Sequence, residues 1–143
     1  MTILATEQAS STAGREGSAT SKDGKINLKL SPPGSNGPGT NPEQLFAAGY
    51  SACFGQAIKA MAKEHGVAID PNTLSVEATV QLHKEDSGFF ISATLNATIP
   101  GADQAQAEKL VHAAHQICPY SKATRGNIDV TLQVGGAALK AAA

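Results

Sequence analysis

Residues 41–65, NPEQLFAAGYSACFGQAIKAMAKEH, constrain this chain more than any other stretch, because one apolar period runs there between a helix start and a helix stop. Asn41 can accept a hydrogen bond from the first-turn backbone. Pro42 has no N–H to leave unpaired at the first helical position, and Glu43 and Gln44 place an acid and an amide in the first turn. From there Leu45, Phe46, Gly49, Ala52, Cys53, Ala57, Ala60 and Met61 recur at three- and four-residue steps. Many of these side chains are small, which lets another helix approach closely. Lys63 and His65 bring cations to the last turn, and Gly66 suits the C-cap. The stretch predicts a long helix with Cys53 in its middle, on the apolar stripe.

The remaining segments read as support for that helix. A chain of 143 residues fits a single domain, 1–143, with one core that removes about two-thirds of the unfolded surface from water. Residues 2–6 and 14–19 have strand character, 22–24 make a turn, and Ile26, Leu28 and Leu30 alternate, a short meander. Residues 31–40, SPPGSNGPGT, exclude helix and central strand and form a surface connection. After a short extended piece at 67–70, residues 74–82 and 89–99 alternate apolar and polar positions as two strands of a hairpin closed by 84–88. Residues 102–117 predict a second helix with Ala107, Leu110, Val111, Ala114, Ile117 and Cys118 on one face, and Pro119 stops it. Residues 127–134 alternate as a last strand, and 135–143 are assigned no structure. Hairpins dominate this order, so the expectation is antiparallel α+β.

Composition excludes several function classes. The net charge of -1 gives no electrostatic reason to bind nucleic acid or an anionic membrane surface. No run reaches the roughly 18 apolar residues of a membrane span, and residues 1–11 lack a basic head followed by an apolar core, so a cytoplasmic protein is expected. No GxGxxG or GK[ST] loop occurs to cradle a nucleotide. His112 and His115 stand at i and i+3 on the second helix, but no acidic or cysteine partner lies at ligand spacing, so no metal is expected there. His65 and His83 read as solvated, and Arg125 as a residue that fixes local backbone.

The two cysteines remain. Each fits a small apolar core residue, and each could also be a working thiol. A working thiol needs a cation or a helix N-terminus to favour the thiolate, and Cys53 lies about twelve residues past its helix start, too far for the dipole to help much. Cys118 stands at a helix C-terminus, where partial negative charge opposes ionisation, so it would act second. Glu43 is separated from Cys53 by roughly 15 Å along a straight helix. Either Gly49 breaks that helix or Glu43 works through an intermediary such as an arginine. Arg15 and Arg125 are the only arginines in the chain, and Arg15 sits between glycines in a segment that reads as mobile.

Three segments carry a family resemblance. Residues 38–54, PGTNPEQLFAAGYSACF, and 117–127, ICPYSKATRGN, resemble the two cysteine motifs of the organic hydroperoxide resistance (Ohr) subgroup of the OsmC/Ohr family, and 14–17, GREG, resembles its arginine segment. The resemblance implies an OsmC-like fold, with antiparallel sheets wrapped around central helices in an intertwined homodimer. It implies a thiol-dependent peroxidase that reduces organic hydroperoxides to alcohols, with Cys53 as peroxidatic thiol and Cys118 as resolving thiol. Arg15 would activate Cys53, and Glu43 would hold Arg15. No bound cofactor is implied; an external dithiol of the dihydrolipoyl type, such as a lipoylated protein, would reopen the disulfide. The apolar residues Leu45, Phe46, Tyr50 and Phe54 point either to a pocket for alkyl and fatty-acid peroxides or simply to core. Two other readings stand beside this one: a peroxidase of the related OsmC subgroup, and a redox-responsive binding protein without turnover.

Overall fold

The computed structural model describes residues 1–140. They fall into two compact units, Met1–Leu45 and the chain from Phe46 onward. In the first unit, β1 (Ala9–Thr12), β2 (Ser18–Ser21) and β3 (Asn27–Lys29) form an antiparallel meander in sequence order. The strand expected at 2–6 is not formed. A strand needs a cross-strand partner, and β2 is only four residues long, with its register taken up from Ala9↔Ser21 to Thr12↔Ser18. Residues 14–16 are likewise not strand but one turn of 3-10 helix, entered through Ala13 and Gly14, both at positive φ. The Pro/Gly-rich segment closes into a loop: the Ser31 N–H donates to the Thr40 carbonyl at 2.8 Å, and the Thr40 N–H to the Lys29 carbonyl at 2.9 Å.

Helix α1 (Pro42–Glu64) starts where the sequence places it, with the Gln44 N–H donating to Asn41 Oδ1 at 2.9 Å. It continues through Gly49 without a break. Its buried face is Tyr50, Phe54, Ala57, Ile58, Met61 and Ala62, whereas Ala52 and Ala60 are exposed and Cys53 is half-buried. The helix is therefore rotated from the expected stripe. Turning Tyr50, Phe54, Ile58 and Met61 inward removes far more apolar area from water than turning alanines inward.

In the second unit β4 (Ser75–Glu85) and β5 (Gly88–Thr98) form the expected hairpin, joined at Glu85↔Gly88. After it come α2 (Gln104–Ile117), α3 (Pro119–Thr124), β6 (Val130–Val134) and β7 (Ala137–Ala138). The sheet order is β4-β5-β6-β7. All its pairs are antiparallel except β5 with β6, which runs parallel because the two helices carry the chain back across. β7 lies in the segment assigned no structure, where Gly135 and Gly136, both at positive φ, make a two-residue hairpin turn. The core gathers the inward residues of α1, Ala93, Leu95 and Ala97 of β5 with Ile99 just after it, and Ala107, Leu110, Val111 and Ala114 of α2, together with Cys118. Ile117, expected on that α2 face, is 47% exposed, since the face lies between Ala114 and Cys118.

Candidate active site

Cys118 occupies a corner between two helices and not only the end of one. It is the last cap of α2 and also the N-cap of α3, with Pro119 in the first helical position. The signal was present, because proline favours a first turn as much as it ends the helix before it. Cys118 is buried, its N–H donates to the Ala114 carbonyl, and its carbonyl accepts from the Lys122 N–H. Its Sγ lies 3.5 Å from Cys53 Sγ, and both cysteines are free. Two thiols 65 positions apart thus meet where α1 lies against the α2–α3 corner.

The chemistry of Cys53 follows from its surroundings. Burial pushes its thiol up, the backbone N–H of Tyr120 in α3 pulls it down, and the neighbouring Cys118 pushes it up again. Around this contact the aromatic rings pack edge to face, with Phe46 5.9 Å from Tyr50 and 6.1 Å from Tyr120. Tyr50 and Phe54 are fully buried and belong to the core. Phe46, in contrast, lines an open apolar groove of about 460 Å³ with Ile91, Pro119, Tyr120, Ala123 and Ile128.

Arg15 and Glu43 lie in the first unit and are joined there. Arg15 Nη1 donates to Glu43 Oε2 at 2.8 Å and Nη2 donates to Oε1 at 2.7 Å, a fork-to-fork ion pair. The guanidinium holds the Glu43 carboxyl below the usual carboxylate range, and the carboxylate raises Arg15 further. The Glu43 side chain is 11% exposed and that of Arg15 44%. The carboxylate is thus the anchored partner and the arginine the one open to solvent.

The histidines divide. His83 is not solvated as expected: its Nε2 lies 2.8 Å from Ser92 Oγ, and its ring stacks on Phe90 at 4.8 Å. His112 and His115 line a second groove with the cations Arg125 and Lys140. His115 is held below its usual range by burial and by the charges of Arg125 and His112. Arg125 does fix backbone, donating to the His115 carbonyl. Among the described residues no helix is long and apolar enough to cross a membrane.

Fold and site together define an α+β protein with two apposed thiols, one on a long helix and the other at a helix corner. The chain belongs to the OsmC-like family, which matches residues 34–133. It is 49% identical over 134 residues to the organic hydroperoxide resistance protein of Xanthomonas axonopodis pv. citri, covering 91% of this chain and 94% of that one. With OhrB of Bacillus subtilis it shares 46% identity over 136 residues, 92% of this chain and 98% of the relative. The crystal structure of that OhrB superposes with a TM-score of 0.85 at 45% identity, covering 92% of this chain and 99% of the other. An organic hydroperoxide resistance protein of Vibrio cholerae O1 biovar eltor, solved with captopril bound in one of its active sites, superposes at 0.88 with 44% identity, covering 97% of both chains.

Proposed function

We propose that this chain is a thiol-dependent peroxidase that reduces organic hydroperoxides to alcohols and so protects against organic peroxide stress. The observation that carries the reading is the approach of two free thiols to 3.5 Å, one half-buried and one buried. In the first step the Cys53 thiolate attacks one peroxide oxygen. The O–O bond breaks, Cys53 becomes a sulfenic acid, and the departing alkoxide takes a proton to leave as the alcohol. The Arg15 guanidinium is the cation assigned to that step, activating Cys53 and stabilising the developing negative charge. Glu43 engages two of its five N–H donors and leaves others for an oxyanion.

Cys118 then attacks the sulfenic sulfur. The S–S bond forms as the S–O bond breaks, and the thiol proton departs with the hydroxyl as water. A covalent bond of about 2.05 Å asks the sulfurs to close by roughly 1.5 Å, a motion within reach of side-chain rotation and a small shift of the corner. An external dithiol of the dihydrolipoyl type, carried by a lipoylated protein, reopens the bond by thiol–disulfide exchange and leaves as a cyclic disulfide. The groove beside Tyr120 favours alkyl and fatty-acid hydroperoxides over hydrogen peroxide, because its lining is largely apolar. The protein works as a homodimer.

Single turnover tests the reading. About one equivalent of an alkyl hydroperoxide is added to the reduced protein and to Cys118→Ser, and free thiols and intact mass are read. The parent is expected to lose two thiols as an intramolecular disulfide, and the variant to stop at a sulfenic acid on Cys53. Two unreacted thiols in the parent after minutes would overturn the proposal.

A further inference from the structure

Beside the two thiols runs a second bridge between the same helices, which the reaction above does not use. Tyr50 lies one turn before Cys53 on α1, and Ser121 lies three residues after Cys118 in the first turn of α3. Tyr50 Oη lies 2.9 Å from Ser121 Oγ and 3.1 Å from Thr124 Oγ1. Ser121 Oγ in turn lies 2.9 Å from Nδ1 of His115 on α2. Tyr50 and Ser121 are fully buried and Thr124 nearly so. A polar chain of four side chains therefore ties α1, α2 and α3 together, three of them in the interior and His115 opening onto the second groove.

Such a chain is not what stability alone asks for at this place. Phenylalanine at 50 and alanine at 121 would fill much the same space without burying hydroxyls that must then be paired. What hydrogen bonds add over apolar packing is a fixed distance and direction, since packed rings can slide where a 2.9 Å bond cannot. The quantity fixed here is the spacing between the helix that carries Cys53 and the corner that carries Cys118.

We propose that Tyr50, Ser121 and His115 are positioning residues for disulfide closure: they hold the α3 corner at the spacing from which Cys118 reaches the oxidised Cys53. The inference rests on the peroxidase reading, and it assigns these residues to the second step of the cycle and not to the first. Of the two sulfurs, peroxide attack uses only that of Cys53, whereas closure needs both in line.

Rapid-mixing single turnover of Tyr50→Phe and of Ser121→Ala separates the two steps, with a sulfenic-acid trap reporting the intermediate and thiol loss reporting closure. Each variant is expected to consume peroxide within about twofold of the parent rate and to close the disulfide about tenfold or more slowly, so that trappable sulfenic acid accumulates. The double variant is expected to close more slowly than either single one but by less than the product of their effects, because the two substitutions share the Tyr50–Ser121 bond, while Tyr50→Phe also cuts the bond to Thr124 and Ser121→Ala the bond to His115. Closure within about twofold of the parent in either folded variant overturns the inference, as does an equal fall in both steps, the sign of a general packing defect. If the parent itself forms no Cys53–Cys118 bond, the peroxidase reading fails and this inference fails with it. A parent that closes beside a Tyr50→Phe that closes equally fast sinks the inference alone.

Discussion

Whether a buried cysteine ionises is decided within a few ångströms of its sulfur, and at Cys53 the influences can be separated by substitution. Burial is the largest and raises the thiol, the Tyr120 N–H opposes it, and Cys118 adds to it. Cys118→Ala leaves the first two in place and removes the third. The Cys53 pKa is therefore expected to fall. For an acid, a lower pKa means more thiolate at a given pH, so the pH profile of Cys53 alkylation by iodoacetamide should shift to lower pH and the rate at neutral pH should rise. A profile shifted the other way would mean that Cys118 stabilises the thiolate it faces. At this scale the sequence was partly legible. Cys53, Cys118, Arg15 and Glu43 stand out by their motifs, but Tyr50, Ser121 and His115 do not. Tyr50 and Ser121 are 71 positions apart, and no local pattern links two hydroxyls that meet only after folding.

At the scale of elements, what the sequence announces is whatever local chemistry decides. α1 is legible because Asn41, Pro42 and Gly66 mark its ends, and the β4–β5 hairpin because its alternation runs unbroken on both sides of a turn. α3 and β7 escape because each is too short to show a period: α3 has six residues and β7 two. The start of α2 carries its own local signal, Asp103 three residues before Gln106, which forms a reciprocal cap in which the Gln106 N–H donates to Asp103 Oδ1 at 2.8 Å and the Asp103 N–H to Gln106 Oε1 at 3.0 Å. α2 ends at Cys118, so its stability bears on the corner. Asp103→Ala removes one arm of the cap and leaves one first-turn donor, the Gln106 N–H, to water. It is expected to cost about 1 kcal/mol, a few degrees in Tm, with little change in the rate of peroxide consumption. A loss several times larger in thermal melts would mean that Asp103 holds more than the helix start.

At the scale of the whole molecule, the rotation of α1 is what matters. The large side chains face the core, so the small and polar residues Ala48, Ala52, Gln56, Lys59 and Ala60 are left exposed along the other side. Helix interfaces use small side chains where two backbones must approach closely, and the proposed homodimer supplies a second α1 to lie against this face. The sequence showed the small residues but placed them on the inward stripe, because periodicity reports that a helix is two-sided and not which side meets its own core. Ala52→Lys tests the dimer. Lysine is a good helix former, and a substitution at an exposed site ordinarily changes monomer stability by no more than about 0.5 kcal/mol. In the middle of a close helix contact it would instead bury an unpaired ammonium, which costs several kcal/mol and opens the interface. Sedimentation equilibrium should therefore find the parent at twice the 14.6 kDa chain mass and the variant shifted toward monomer, with far-ultraviolet circular dichroism unchanged. A parent that sediments as a single chain would refute the dimer. A variant that stays dimeric would move the interface off this face of α1.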